Sequence, residues 1–100
     1  MTTIDLKFSP EMAKAALDGR KCCTSRRTPK GEPGDIFTIR GVRFRLLSWT
    51  PIPITTIVTA LFRAEGFAGI EGCAAYLQAA YPDLNQYDSL CVHFFARVSA

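Results

Sequence analysis

Histidine occurs once, at His93, and no two cysteines stand in a Cys-x-x-Cys spacing, so the usual ligand sets of a zinc site are missing. No metal or other cofactor is expected. Nor is there an uninterrupted apolar run near the roughly 20 residues that a membrane-spanning helix needs. The opening residues, Met1-Thr2-Thr3-Ile4-Asp5, lack the basic-then-apolar order of a secretion signal, so no membrane partner and a cytoplasmic location are expected. In that setting Cys22, Cys23, Cys73 and Cys91 are expected to stay free and reduced rather than paired in disulfides. Repeats and low-complexity stretches are missing too. Hydrophobic residues at 48% against 21% charged exclude a disordered chain.

What is present is a chain of 100 residues, enough for one domain, 1–100, with a single modest core. Its net charge is only +3, but the basic residues are unevenly placed. Arg20, Lys21, Arg26, Arg27, Lys30, Arg40, Arg43 and Arg45 crowd one stretch that holds only Glu32 and Asp35 as counter-charges. Such a cluster makes a positive field that attracts phosphates or nucleic acid, or else it is a solvated face.

Apolar and polar residues alternate over Ile4-Asp5-Leu6-Lys7-Phe8, which predicts a half-buried strand. Ser9, Pro10 and Glu11 then form a helix start, with Ser9 as N-cap, and Gly19 supplies the stop after Asp18. Cys22 to Arg26 reads as a short strand. Two prolines and two glycines make residues 28–35 a loop. Ile36-Phe37-Thr38-Ile39, the turn Arg40-Gly41 and a partner strand from Val42 predict a hairpin, whose second arm is expected to stop where Pro51 and Pro53 deny it ladder donors. Residues 54–65 mix a helical stripe with β-branched threonines and read as a strand end merging into a short helix. Ile70 to Tyr81 carries Ile70, Cys73, Ala74, Leu77 and Tyr81 on one face and predicts a helix that Pro82 ends. Leu90 to Val98 alternates as a last strand. A small α+β fold with a curled sheet or barrel follows.

Chemistry concentrates in Gly19 to Arg27. On a strand, residues two apart share a face, so the Thr24 hydroxyl lies beside the Arg26 guanidinium. Lys21 would converge on them only if the chain bends near Cys22. Arg26 suits a phosphate or carbonyl clamp, Lys21 a cation or base, Thr24 a hydroxyl donor or nucleophile, and Arg20 and Arg27 supporting positive charge. Glu65 in Ala64-Glu65-Gly66-Phe67 is a second candidate, a carboxylate held beside an aromatic and a glycine. Each has a plainer reading as a solvated or strand residue. His93 and Trp49 read as packed rather than catalytic.

The segments Leu6-Lys7-Phe8 with Pro10-Glu11, Gly19-Arg20-Lys21-x-x-Thr24-x-Arg26, Gly34-Asp35, Ala64-Glu65-Gly66-Phe67 and Tyr81-Pro82-Asp83, with Phe94 in the closing strand, together resemble an ASCH domain over essentially the whole chain. The resemblance implies a PUA-like β-barrel with two or three flanking helices, in a superfamily associated with RNA binding. It also implies a cleft that takes RNA or a nucleoside-type small molecule. Small proteins of that group hydrolyse cytidine acetylated on its exocyclic amine. Their catalytic lysine, threonine and glutamate correspond here to Lys21, Thr24 and Glu65. The implied ligand-binding residues are Lys21, Arg26, Arg27 and Arg20. Whether the cleft only binds or also cuts stays open at this point.

Overall fold

Helix α1 (Pro10–Leu17) begins where Ser9 accepts the Met12 N–H at 3.3 Å, and proline at the first position costs no helical hydrogen bond. It ends at Gly19, whose φ of +84° turns the chain back, so that the N–H groups of Arg20 and Lys21 both donate to the Ala15 carbonyl. The computed structural model describes residues 2–99. After α1 come β1 (Cys23–Arg26), β2 (Ile36–Ile39), β3 (Val42–Pro53), α2 (Ile54–Ala60), α3 (Ile70–Ala80) and β4 (Ser89–Arg97). Arg40 and Gly41 both have positive φ, 50° and 82°, the two-residue turn that matches the twist of the β2–β3 hairpin.

The four strands pair antiparallel in the order β1-β4-β3-β2. The sheet curls into half a barrel, and the N-terminal segment runs between its two edges. Thr3 makes a parallel bridge to Ile36 of β2, while the Lys7 carbonyl accepts from Arg26 of β1 at 2.8 Å. With three helices alongside, the fold is α+β, as the order of sequence signals implies.

Two expectations need correction. Residues 4–8 are not a strand of the sheet. Their alternation reports real one-sided burial, with Leu6 buried and Asp5 and Lys7 exposed, but pairing is limited to the bridge at Thr3. An extended segment lying on a core has the same period as a strand. Second, β3 passes through Pro51, which pairs with Cys91, and ends only at Pro53. β2 and the two residues before it cover β3 no further than Leu46, whose N–H donates to the Asp35 carbonyl and whose carbonyl accepts from Gly34, so beyond that point β3 has a free side, where a missing donor costs nothing.

Two apolar clusters flank the sheet. One joins Leu6, Ala13, Ala16, Phe37, Ile39, Phe44 and Phe95, with Phe37 and Phe95 in edge-on contact at 5.3 Å between ring centres. The other packs Cys23, Leu90 and Val92 of the sheet against Ile57, Cys73 and Leu77 of the helices. β4, in the middle, is buried on both faces from Leu90 to His93.

His93 is fully buried, and its ring is satisfied as a neutral group. Nε2 accepts the Lys30 N–H at 2.9 Å, and Nδ1 faces the carbonyls of Cys91 and Thr24 at 3.0 and 3.2 Å, so the ring proton sits on Nδ1. Burial, helped by the charges of Arg26 and Lys30, holds its pKa below the usual histidine value, against the opposing pull of the two carbonyls. Unfolding frees the ring to protonate near pH 6.5, where the folded protein still resists. Stability is therefore full above that pH and falls as pH drops from there toward the lower folded value. A thermal-unfolding series from pH 7.5 to 5 should show the fall in wild type and a flatter profile in His93→Gln. Matching profiles would remove His93 as the cause.

Candidate functional site

Lys21 stands just before β1, with its side chain turned inward; the residue is only 4% exposed. Its ammonium donates to the Glu65 carbonyl oxygen at 2.9 Å and to Glu65 Oε1 at 3.2 Å. Glu65 is equally buried, in the turn that follows α2. That turn is docked by the backbone: the Ala64 carbonyl accepts from both Cys22 and Cys23 N–H, at 2.8 and 3.1 Å. Gly66 closes it with φ +102°, and a Cβ there would sit 3.2 Å from the Cβ atoms of Ala15 and Lys21. The positive φ favours glycine, and a Cβ would in addition press on both neighbours.

The second carboxylate oxygen of Glu65 accepts a short hydrogen bond, 2.5 Å, from the Ser25 hydroxyl. Thr24 is arranged differently. Its Oγ1 accepts from Arg26 Nε and Nη2 at 3.3 and 3.1 Å, and the guanidinium lies over the Phe8 ring at 5.3 Å from its centre. The pairing of β1 with β4 is regular from Cys23 to Arg26, so Thr24 and Ser25 point to opposite faces. Because β1 is an edge strand, both faces still reach one cavity of about 80 Å³, lined by Lys21, Thr24, Ser25, Arg26 and Glu65, with Phe8, Tyr76 and Tyr81 among its other walls. That is room for two or three waters at about 30 Å³ each. An acyl-sized fragment matches it, and the bulk of a larger ligand would rest outside.

Arg20 and Arg27 lie outside this lining. Arg20 pairs with Asp18 at 3.2 Å, and Arg27 pairs with Asp83 and lies over the Tyr81 ring. Tyr81 in turn donates its hydroxyl to the Ser25 carbonyl at 3.1 Å, bracing the strand. Burial raises its pKa, which keeps the phenol protonated for that role. The thiols near the site are likewise kept neutral. Burial, then the Glu65 charge, pushes Cys73 up to about 11 and Cys23 higher still. Trp49 pairs with His93 in the ladder and does not line the cavity. Among the described residues no group of His, Cys, Asp and Glu could hold a metal ion.

Sequence reasoning passed over Ser25. The signal was the strand period: Cys23 and Ser25 share the face that meets α2 and α3, and a hydroxyl among those apolar neighbours needs a buried polar partner. Which residue would supply it could not be read from spacing.

No protein-family model and no curated protein matches the sequence. The fold does match solved structures. The hypothetical protein PH0355 aligns over 98% of this chain and 100% of its own at 15% identity, with a TM-score of 0.72. The ASCH domain from Lactobacillus crispatus JV V101 aligns over 96% of this chain and 79% of its own at 11% identity, TM-score 0.66. Protein EF3133 from Enterococcus faecalis V583 aligns over 97% and 78% at 18% identity, TM-score 0.61. At such identities the likeness is one of backbone arrangement, and on it the chain has the fold of an ASCH domain.

Proposed function

We propose that the protein hydrolyses an amide formed between a small acyl group and the amine of a nucleoside-type molecule, N(4)-acetylcytidine being the model substrate. The observation that carries this is the buried Lys21–Glu65 pair with two hydroxyls, Thr24 and Ser25, in the same cavity. One route to amide cleavage uses a hydroxyl nucleophile, a carboxylate to move its proton to the leaving amine, and positive charge for the developing oxyanion. All three residue types line a space of acyl size. A site for an anionic strand would need free cations instead, and here Lys21 is buried against Glu65 while Arg20 and Arg27 face Asp18 and Asp83.

RNA binding is the second reading, and it draws on a different surface. Arg40, Arg43 and Arg45 are exposed on the β2–β3 hairpin, outside the cavity's lining. A panel of N-acylated nucleosides, followed by release of the free amine, separates the two. Turnover of at least one member is expected, with any RNA affinity weak at physiological salt. No turnover together with tight RNA binding that falls steeply with salt would replace hydrolysis by RNA recognition.

A further inference from the structure

We infer that Ser25, rather than Thr24, is the hydroxyl that takes up the acyl group. The inference rests on the hydrolase reading and adds a nucleophile to it. A hydroxyl becomes a nucleophile when a base in contact removes its proton. Ser25 Oγ is in such contact, at 2.5 Å from Glu65 Oε2, whereas the hydrogen bonds Thr24 Oγ1 makes with side chains are those it accepts from Arg26. Strand geometry keeps the two apart. A bend would be needed to bring Thr24 to Glu65, and the β1–β4 register runs through Thr24 and Ser25 without interruption. Glu65 is itself fixed by Lys21 at its other oxygen, so the base is oriented and its charge balanced before substrate arrives.

Ser25 Oγ forms a bond to the amide carbonyl carbon as its proton passes to Glu65 Oε2, and the acyl oxygen becomes an oxyanion facing the cationic groups of the cavity, Lys21 and Arg26. The C–N bond then breaks while Glu65 gives the proton to the departing amine, leaving an ester on Ser25. Water next attacks that ester and gives a proton to Glu65. The C–Oγ bond breaks, the proton returns to Ser25, and the carboxylic acid leaves. Thr24 acts as a positioning residue, holding the Arg26 guanidinium toward the cavity.

The test uses the intact protein and p-nitrophenyl acetate, an activated acyl donor that needs no nucleoside recognition. After an acid quench and digestion, mass spectrometry is expected to find the acetyl group on Ser25. In Thr24→Val the label should form more slowly, since Arg26 loses its acceptor, but still on Ser25, and it should vanish from that peptide in Ser25→Ala. Acetyl on Thr24, on the exposed Cys22 alone, or on no residue would overturn the assignment. On a nucleoside that wild type turns over, Ser25→Ala should lower kcat on the order of 10³-fold or more. Unchanged kcat in Ser25→Ala would defeat the nucleophile while leaving hydrolysis standing. Acylated Ser25 without turnover of any nucleoside would keep the nucleophile and defeat the substrate class.

Discussion

Replacing Lys21 by methionine should cost about 3–5 kcal/mol of folding stability, because it leaves Glu65 as a carboxylate buried without its cation. Both side chains are nearly inaccessible, at 2% and 4%, so solvent cannot take over the role of the lost partner. Ser25 would still donate to Glu65, which softens the loss without removing it. The companion result is that Lys21→Met with Glu65→Leu recovers most of the stability. Two buried charges exchanged for apolar groups of similar size remove the desolvation penalty together with the attraction, and such swaps are often neutral or stabilising. The part not recovered, about 1–3 kcal/mol, comes from the Ser25 hydroxyl left without its acceptor and the backbone carbonyl of residue 65 left without its donor. Urea denaturation of wild type, both single variants and the double variant measures the coupling directly. Additive effects would mean that the pair is not closed in solution. The result also governs how any activity loss is read, since a domain of this size has only about 5–15 kcal/mol in all. An inactive Lys21 variant that is also half unfolded says nothing about chemistry.

Local features of the fold were legible because their causes are local. Ser9 and Gly19 bracket α1 through capping and a positive φ, and Arg40-Gly41 sets the hairpin turn, each within a few residues of the signal. The strand expected at residues 4–8 failed for a different reason. Alternation reports which side chains are covered, whereas a strand also needs a partner along its whole length, and β2 offers one at Thr3 alone. The continuation of β3 through Pro51 follows the same logic, since only the tertiary arrangement shows that its outer side is unpaired there.

The site divides along the same line. Thr24 beside Arg26 follows from the strand period, and the hydrogen bonds between them bear the geometry out. The meeting of Lys21 with Glu65 spans 44 residues and depends on the turn after α2 docking on the start of β1 through the Ala64 carbonyl. Nothing in either segment alone specifies that contact. The period also states that Ser25 and Thr24 diverge, but choosing between them requires knowing which face Glu65 approaches. That face is set by the packing of Ile57, Cys73 and Leu77 against Cys23 and Val92, a choice made by the second apolar cluster as a whole.

Glu65→Gln should then reduce hydrolysis on the order of 10²–10⁴-fold while the protein stays folded. The amide keeps the size of the carboxylate. Its carbonyl oxygen can still accept from Lys21, which also retains the backbone carbonyl of residue 65 as an acceptor, so although the buried ammonium loses its counter-charge the variant is milder than one that removes the side chain. What it cannot do is take a proton. Its NH₂ group would face Ser25 Oγ, turning a hydroxyl that donates into one that accepts, and the nucleophile then has no base in contact. Because both carboxylate oxygens are bonded within the protein, Glu65 contributes little to holding substrate before reaction. The loss should therefore appear in kcat with KM nearly unchanged, the pattern of an interaction used in the transition state. A rise in KM at constant kcat would instead make Glu65 a binding group, and a rate within twofold of wild type would exclude it from proton transfer. The same assay on Lys21→Met with Glu65→Leu sharpens the reading. That variant is expected to fold well and to hydrolyse nothing, which separates the chemistry of the buried pair from its part in stability.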